Sequence, residues 1–163
     1  MAQISIEVNI EEVKWQKELP DVERIIEQAC ITALQSTGIT RNTEYIEISV
    51  LLANDKTIQN LNGNYRGKDK PTNVLSFPQE ELVAGKYRGI AKNISLGDII
   101  FALETIQKEA TEQNKTFHGH LVHLAVHGTL HLIGYDHQKK AEAEIMEALE
   151  IGILDKLGIA SPY

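Results

Sequence analysis

Residues 127–137 read His-Gly-Thr-Leu-His-Leu-Ile-Gly-Tyr-Asp-His. His127 and His131 are four positions apart, so on a helix they lie one turn apart on the same face. Gly134 follows three positions later, where a glycine can take the left-handed conformation that ends many helices. The chain can then turn back and bring His137 toward the other two imidazoles. Three neutral imidazoles with one open position are the ligand set of a catalytic zinc site, as opposed to a closed structural site.

The histidine spacing resembles that of the metzincin peptidases, with one departure. Those enzymes carry a glutamate directly after the first histidine, where it serves as the general base. In this chain the position is taken by Gly128, which can neither accept nor release a proton. The pattern therefore keeps the metal ligands and lacks the base of a peptidase.

Three further histidines, His118, His120 and His123, lie upstream of this motif. His123 and His127 are also four positions apart, so they form a competing pair for a metal ion. Only the pair of His127 and His131 is followed by a turn and a third histidine. We therefore expect the upstream histidines to face solvent or to contact the metal ligands without binding the metal themselves.

The composition predicts one globular domain over residues 1–163. The chain is 42% hydrophobic, which is enough for a proper core. The single cysteine, Cys30, forbids an internal disulfide and suits a reducing compartment. The first residues lack the features of a signal peptide, and no stretch approaches the length of a membrane span. We therefore expect a cytoplasmic protein that does not associate with membranes.

The charge is unevenly distributed along the chain. A formal net charge of −7 argues at first against nucleic acid, because phosphate contacts dominate such binding. Residues 64–92, however, hold six basic and three acidic side chains. An acidic body with one basic region can guide an anionic ligand to a single place.

Hydrophobic periodicity predicts four strands and about five helices. The strands are expected near residues 4–8, 45–53, 73–77 and 97–101. The helices are expected near residues 22–34, 55–61, 102–113, 117–133 and 138–157. Asn54 or Asp55 would cap the second, short helix. The pattern predicts an α+β fold, in which a small mixed sheet of four strands is packed with the helices.

Two of these helices differ in their polarity. The segment 117–133 is apolar almost all round apart from its histidines, which is typical of a buried central helix. The metal site would then lie at the end of this helix. In the last helix, the inward residues are expected to be Ile145, Leu149, Ile153 and Leu157. Its many glutamates are expected to face outward.

Three motifs are specific enough to compare with known families. They are Asn-Tyr-Arg-Gly-Lys-Asp-Lys-Pro-Thr-Asn-Val-Leu-Ser-Phe-Pro at 64–78, Leu-Gly-Asp-Ile at 96–99, and the histidine motif at 127–137. Together they closely resemble the bacterial YbeY family, and the resemblance covers nearly the whole chain.

The resemblance implies a single-domain, metal-dependent endoribonuclease that is specific for single-stranded RNA. It implies a role in ribosomal RNA maturation, at the 3′ end of the small-subunit RNA, and in ribosome quality control. RNA and ribosomal particles would be its partners. By position, the resemblance implies that His127, His131 and His137 bind one zinc ion and that Arg66 is a functional residue of the cleft.

The chemistry of these residues agrees with that implication. Three neutral ligands leave zinc its full double positive charge, which attracts an anionic phosphodiester. Arg66 offers a planar fork for two phosphate oxygens, although it could also be a surface arginine in a turn. Lys68 and Lys70 are expected to attract and bind the substrate without taking part in the chemistry.

Several alternatives remain open at this point. The metal motif holds no general base, because Asp136 is expected to fix the turn or to orient a ligand. Either water or the 2′-hydroxyl of the RNA could therefore attack the phosphorus. A zinc metallopeptidase-like hydrolase would share the histidine spacing without its glutamate. A non-catalytic zinc-containing ribosome assembly factor would need the same surface without an open coordination position.

Overall fold

A computed structural model describes residues 2–163 of the chain. Within that range the chain forms four strands and six α-helices. The strands are β1 (Gln3–Ile10), β2 (Tyr45–Ala53), β3 (Val74–Pro78) and β4 (Asn93–Ala102). The helices are α1 (Lys14–Glu18), α2 (Val22–Gln35), α3 (Asp55–Arg66), α4 (Leu103–Glu112), α5 (Phe117–Leu132) and α6 (Lys140–Lys156). None of the helices in this range is long and apolar enough to cross a membrane.

The strands form one mixed sheet in the order β1-β2-β4-β3. β1, β2 and β4 run parallel, and β3 pairs antiparallel with β4 at one edge. Successive side chains of a strand point to opposite faces, and the buried residues Ile46, Ile48 and Val50 of β2 join one core with residues of α2 and α5. This arrangement confirms the predicted α+β class and the mixed four-stranded sheet.

Helix α5 lies at the centre of the core, as its composition predicts. Leu121, Ala125 and Leu130 are fully buried, and the helix contacts α2, α4, α6, β3 and β4. The helix begins after Thr116, whose hydroxyl oxygen accepts a hydrogen bond from the N–H of Gly119 at 2.9 Å. Such a cap satisfies a backbone donor that the first turn leaves unpaired.

Helix α3 determines where Arg66 lies. Asn54 is the capping residue, and its side-chain oxygen accepts a hydrogen bond from the N–H of Thr57 at 2.9 Å. At the other end Gly67 takes the left-handed conformation, with a φ of 68°. Arg66 is therefore the last helical residue, and Lys68 and Lys70 follow in the loop that leads to β3.

Helix α1 was not predicted, so six helices stand where about five were expected. It is five residues long and is held by Trp15, which is fully buried. The indole N–H of Trp15 donates a hydrogen bond to the carbonyl oxygen of Ala53 at 2.9 Å. Because one aromatic side chain holds this helix, it lacks the repeated apolar spacing by which longer helices are recognised.

Strand β4 begins earlier than predicted. Gly97 lies in mid-strand with a φ of 132°, at a bulge where the pairing with β2 shifts between Glu47 and Ile48. A Cβ atom at Gly97 would lie 2.1 Å from the carbonyl oxygen of Phe77. Glycine in a strand often marks such a bulge. The sequence prediction was wrong to start the strand there.

The buried face of α6 also differs from the prediction. Ile145 is 58% exposed, whereas Met146 and Glu150 are 1% and 0% exposed. The prediction placed Ile145 inward and many of the glutamates outward, and burial of an unpaired carboxylate is costly. The buried face of α6 is shifted by about one position from the predicted face. Glu150 can be buried there because it finds hydrogen-bond partners on α5. Ile153 faces the core as predicted.

Candidate metal centre

Three imidazoles converge at the end of α5. His127 and His131 lie one turn apart, and their Nε2 atoms are 3.0 Å from each other. The ring centre of His137 lies 5.3 Å from that of His127 and 5.1 Å from that of His131. One nitrogen atom from each of the three rings lies within 4.8 Å of the corresponding nitrogen atoms of the other two. The structure therefore brings together the three predicted ligands.

The turn that returns His137 to the helix requires a glycine. Gly134 has a φ of 104°, a conformation that other residues rarely adopt. A Cβ atom there would lie 2.4 Å from the carbonyl oxygen of Leu82. The same turn is held from the other side by the buried hydroxyl of Tyr87, which donates to the carbonyl oxygen of Ile133 at 2.9 Å. The position of His137 thus depends on the loop between β3 and β4.

The hydrogen bonds of two rings leave both Nε2 atoms without a proton. The Nδ1–H of His131 donates to the carbonyl oxygen of Tyr135 at 2.9 Å. The Nδ1–H of His127 donates to a carboxylate oxygen of Glu150 at 2.5 Å. A carbonyl oxygen and a carboxylate only accept, so in each neutral ring the proton belongs on Nδ1 and the lone pair on Nε2.

Two lone pairs 3.0 Å apart repel each other unless a cation lies between or beside them. The separation is close to the roughly 3.4 Å between two nitrogen ligands of a tetrahedral zinc ion. Burial, together with the nearby rings of His127 and His137, lowers the pKa of His131 to about 4. That ring is therefore neutral near pH 7, as a metal ligand must be. The donor set fits a divalent metal ion.

Glu150 is the residue of this centre that the sequence did not reveal. Its side chain is fully buried, and it accepts hydrogen bonds from His127, His123 and the hydroxyl of Tyr163. Burial alone would raise the pKa of the carboxyl group, but these three hydrogen bonds outweigh burial and lower the pKa to about 2. Glu150 is therefore a carboxylate at neutral pH, and it lies behind His127 with respect to His131.

The upstream histidines do not converge with the three rings. His118 is exposed, and His120 is buried with its Nε2 atom 2.8 Å from Glu109. His123 lies 3.0 Å from Glu150 and forms a second group with it and His127. In that group the 2.5 Å distance between His127 and Glu150 suits a hydrogen bond and is too short for two ligands of one ion.

Arg66 shares a cleft with the three histidines. The cleft has a volume of about 650 Å³, and Asn73 and Ser76 also line it. Arg66 is exposed and reaches the cleft from the last turn of α3. Among the ion pairs of residues 2–163, none includes Arg66. Its guanidinium group is therefore available to an anion.

Lys68 and Lys70 lie beside this cleft and not in it. They line a neighbouring cavity of about 350 Å³, which shares Arg66 and Asn73 with the cleft. The basic residues Lys86 and Arg88 line a different cavity. The basic region seen in the sequence is thus divided, and only its first part adjoins the three histidines.

Acidic groups line the cleft as well. Glu80 and Glu81 were not expected there, and both come from the loop after β3. Asp136 accepts a hydrogen bond from the backbone N–H of His137 at 2.7 Å. Asp136 therefore shapes the turn, which is the first of the two roles proposed for it from the sequence.

Gly128 takes the position at which the metzincin peptidases carry their glutamate, and in this structure that position faces the sheet. A Cβ atom at Gly128 would lie 3.1 Å from Ile99 and 3.1 Å from the hydroxyl of Ser76. A longer side chain at Gly128 would have to displace these neighbours. The close packing of α5 on β3 and β4 thus explains the glycine in physical terms, and it disfavours a peptidase.

Converging imidazoles beside an arginine in an open cleft are the parts of a metal-dependent hydrolase. Comparison with known proteins gives the family. Residues 7–158 match the family model described as Endoribonuclease YbeY. The chain belongs to this family, which confirms the family predicted from the three motifs.

Individual relatives agree with this assignment. The protein named Endoribonuclease YbeY of Rhizobium johnstonii is 45% identical, over 100% of this chain and 95% of its own length. Its namesake in Bradyrhizobium diazoefficiens is 50% identical, over 91% of this chain and 79% of its own length. Among solved structures, the solution structure of TM1509 from Thermotoga maritima matches with a TM-score of 0.56 and 27% identity. That match covers 94% of this chain and 91% of the other.

Proposed function

We propose that the chain is a metal-dependent endoribonuclease that cleaves phosphodiester bonds in single-stranded RNA. The observation that carries this proposal is the 3.0 Å approach of the Nε2 atoms of His127 and His131, whose Nδ1 atoms both face acceptors, in a cleft that also holds Arg66. The relatives named endoribonuclease supply the reaction class. A phosphodiester is anionic, and both a bound cation and Arg66 would stabilise the charge that builds on it during cleavage.

His127, His131 and His137 would hold the metal, and one zinc ion per chain is the proposed cofactor. Imidazole nitrogens are common zinc ligands, and three of them leave a position open for substrate. When bound, the ion would act as a Lewis acid toward the phosphate and would lower the pKa of a coordinated water molecule. The protein supplies three imidazole donors, of which His127 and His131 are fixed by hydrogen bonds.

Arg66 is proposed to be the catalytic residue. Its guanidinium group can bind two phosphate oxygens at once, which orients the scissile bond as well as neutralising its charge. Its place at the end of α3 anchors the backbone, because Gly67 ends the helix directly afterwards. The side chain stays exposed and can close on a substrate.

Lys68 and Lys70 are proposed to bind the flanking phosphates of the substrate. They are exposed in the cavity next to Arg66, so a strand that enters the cleft would pass them. A single strand can bend its backbone into such a cleft, whereas a duplex presents a rigid surface. The overall charge of −7 would keep RNA away from most of the remaining surface.

The natural substrate is proposed to be ribosomal RNA, at the 3′ end of the small-subunit RNA. Ribosomal particles would be the partners, and ribosome quality control a further role. These proposals rest on the resemblance of the three motifs to the YbeY family. A cytoplasmic location is proposed with them and agrees with the single unpaired cysteine, Cys30, in the described range.

The experiment that tests the function compares substrates and metal states. Wild type and His131→Ala would each be prepared with and without zinc, then given a labelled single-stranded RNA and a peptide. RNA cleavage by the zinc-loaded wild type alone is the expected result. Peptide cleavage would favour the metallopeptidase, and zinc retention without cleavage would favour the assembly factor. His118→Ala is the matched control, because His118 is an exposed histidine of the same helix.

The same assay can identify the attacking group. An RNA with one 2′-deoxy sugar at the cleavage site lacks the internal nucleophile. Persistent cleavage at that site would show that water attacks. Loss of cleavage there, with 2′,3′-cyclic ends on the normal product, would show that the 2′-hydroxyl attacks.

A further inference from the structure

Helix α6 places a carboxylate directly behind the candidate metal centre. We propose that Glu150 is a positioning residue that orients His127 for metal binding, and that the hydroxyl of Tyr163 holds Glu150 in place. This inference rests on the metal site of the proposed function, but it does not depend on RNA as the substrate.

The contacts of Glu150 are all with hydrogen-bond donors. One carboxylate oxygen accepts from the Nδ1–H of His127 at 2.5 Å. The other accepts from the Nε2–H of His123 at 3.0 Å and from the hydroxyl of Tyr163. A fully buried carboxylate needs such donors, because it has lost its hydration. Each carboxylate oxygen of Glu150 therefore has at least one donor, and the oxygen on the side of His127 accepts from His127 alone.

The bond from His127 has a direct consequence for metal binding. It keeps the proton on Nδ1 and fixes the plane of the ring, so that the Nε2 lone pair points toward His131. A ring that carried its proton on Nε2, or that was turned about its axis, could not bind the metal through Nε2. A carboxylate partner also increases the basicity of the imidazole and thereby strengthens the metal bond.

His127 and His131, the two proposed metal ligands on α5, are held by different kinds of hydrogen-bond partner. His131 is held by the carbonyl oxygen of Tyr135, which belongs to its own turn. His127 is held by a charged group from another helix, 23 positions away in sequence. The support of His127 therefore depends on how α6 packs against α5.

Tyr163 extends this support to the surface. The residue is 60% exposed, and its ring packs edge-on against His123 with ring centres 5.7 Å apart. Its hydroxyl donates a hydrogen bond to the oxygen of Glu150 that does not contact His127. A chain of hydrogen bonds thus runs from the exposed Tyr163 through Glu150 to the proposed metal ligand His127.

The test measures zinc affinity and ring protonation in Glu150→Gln. Glutamine has the same shape but no charge, and its NH₂ group cannot accept the bond of a donor that faces it. We expect zinc affinity, measured by competition with a chelating dye, to fall about 10- to 100-fold. In the metal-free chain, imidazole ¹⁵N shifts should show His127 protonated on Nδ1 in wild type and mixed in the variant.

The matched control is Glu144→Gln, which changes an exposed glutamate of the same helix and should alter neither measurement. Unchanged affinity in Glu150→Gln would overturn the proposal. Weaker affinity with unchanged protonation of His127 would also overturn it, because the effect would then be purely structural. A wild type that binds two zinc ions and a variant that binds one would overturn it in favour of a second metal site at His123, His127 and Glu150.

A second variant covers the case in which Glu150→Gln does not fold. Tyr163→Phe removes only a hydroxyl near the surface, and we expect about 3-fold weaker zinc binding, since the lost bond acts through Glu150. Unchanged binding in Tyr163→Phe would overturn the role given to this residue. Both measurements are made without RNA. A wild type that binds zinc but cleaves no RNA would therefore refute the nuclease and leave these results intact.

Discussion

Two histidines of α5, His127 and His131, and the basic residues at and after the end of α3 face neighbouring parts of one surface, but they are held in opposite ways. His127 and His131 stand on a buried helix, and each donates a hydrogen bond that fixes its ring. Arg66, Lys68 and Lys70 are exposed, and within the described residues no ion pair restrains them.

The difference reflects what each group has to do. A metal site needs donors fixed to within a fraction of an ångström, because coordination bonds are short and directional. Attraction of a polyanion acts over the Debye length of about 8 Å and tolerates mobile side chains. Arg66 stands between the two cases, since its backbone is anchored by α3 while its side chain is free to move.

The largest effect is expected from the proposed metal ligands. His127→Ala and His137→Ala should each reduce the zinc content from about one ion per chain to near zero, because two imidazoles bind far more weakly than three. RNA cleavage should be lost with the metal. Elemental analysis after gel filtration measures the zinc, and circular dichroism should show that the core still folds. Full occupancy in either variant would move the metal to the upstream histidines.

Arg66→Lys tests the residue that stands between the two groups. Lysine keeps the charge but loses the two-pronged geometry, so turnover should fall roughly 10- to 1000-fold. Affinity for RNA should hardly change. Single-turnover kinetics and a separate binding assay distinguish the two quantities. A loss of affinity with normal turnover would show that Arg66 only attracts the substrate.

Gly134→Ala tests how far the third ligand depends on its turn. The left-handed backbone and the close approach of Leu82 should destabilise the variant by about 1–3 kcal/mol and weaken zinc binding. Gly152→Ala is the matched control, because Gly152 lies in α6 with open space around it. That change should stabilise the chain by up to about 1 kcal/mol. Equal melting temperatures for the two variants would contradict the role of the turn.

The half-buried ring of His131 also predicts a pH dependence for the metal-free chain. The pKa of His131 is lowered from 6.5 to about 4 by burial and by the neighbouring rings. Between these values the unfolded chain binds a proton that the folded chain does not, so stability should fall as the pH falls through this window. The melting temperature at pH 7 and at pH 5 measures the effect. His131→Gln should reduce the slope, and an unchanged slope would mean that other groups cause it.

The smallest effect on turnover is expected from the mobile group. Replacing Lys68 and Lys70 together by glutamine should weaken RNA binding and leave saturated turnover nearly unchanged. The plot of log affinity against log salt should become less steep, and the magnitude of its slope should decrease by about two, one for each lost phosphate contact. Replacing the exposed Lys14 and Lys17 of α1 in the same way is the control. A loss of turnover in the Lys68 and Lys70 variant would place these side chains in the chemistry.

Sequence reasoning succeeded where the signal repeats along one element. The spacing of His127 and His131 fixes their common face on any helix, and Gly134 marks the turn that returns His137. The strand and helix positions follow from the same periodicity. Helix α1 was missed because a single buried tryptophan, Trp15, holds it.

Glu150 was missed because its partners lie on another helix. One signal could have revealed it. His123 and His127 put a polar stripe on a helix that is otherwise apolar, and a buried polar stripe needs a polar partner on the neighbouring helix. On α6, the residues Met146, Glu150 and Ile153 follow a helical spacing. That spacing predicts a buried face as well as the spacing through Ile145 does.

The residues alone therefore identified the family, the α+β class and the candidate metal ligands, because these depend on motifs and on geometry repeated from one residue to the next. The packing of separate elements decided the rest. It brought Arg66 into the cleft of the histidines and left Lys68 and Lys70 beside it. It pressed Gly128 against Ile99 and turned Glu150 toward α5. Such contacts join residues far apart in sequence, and their geometry is set by the close packing of side chains in the core.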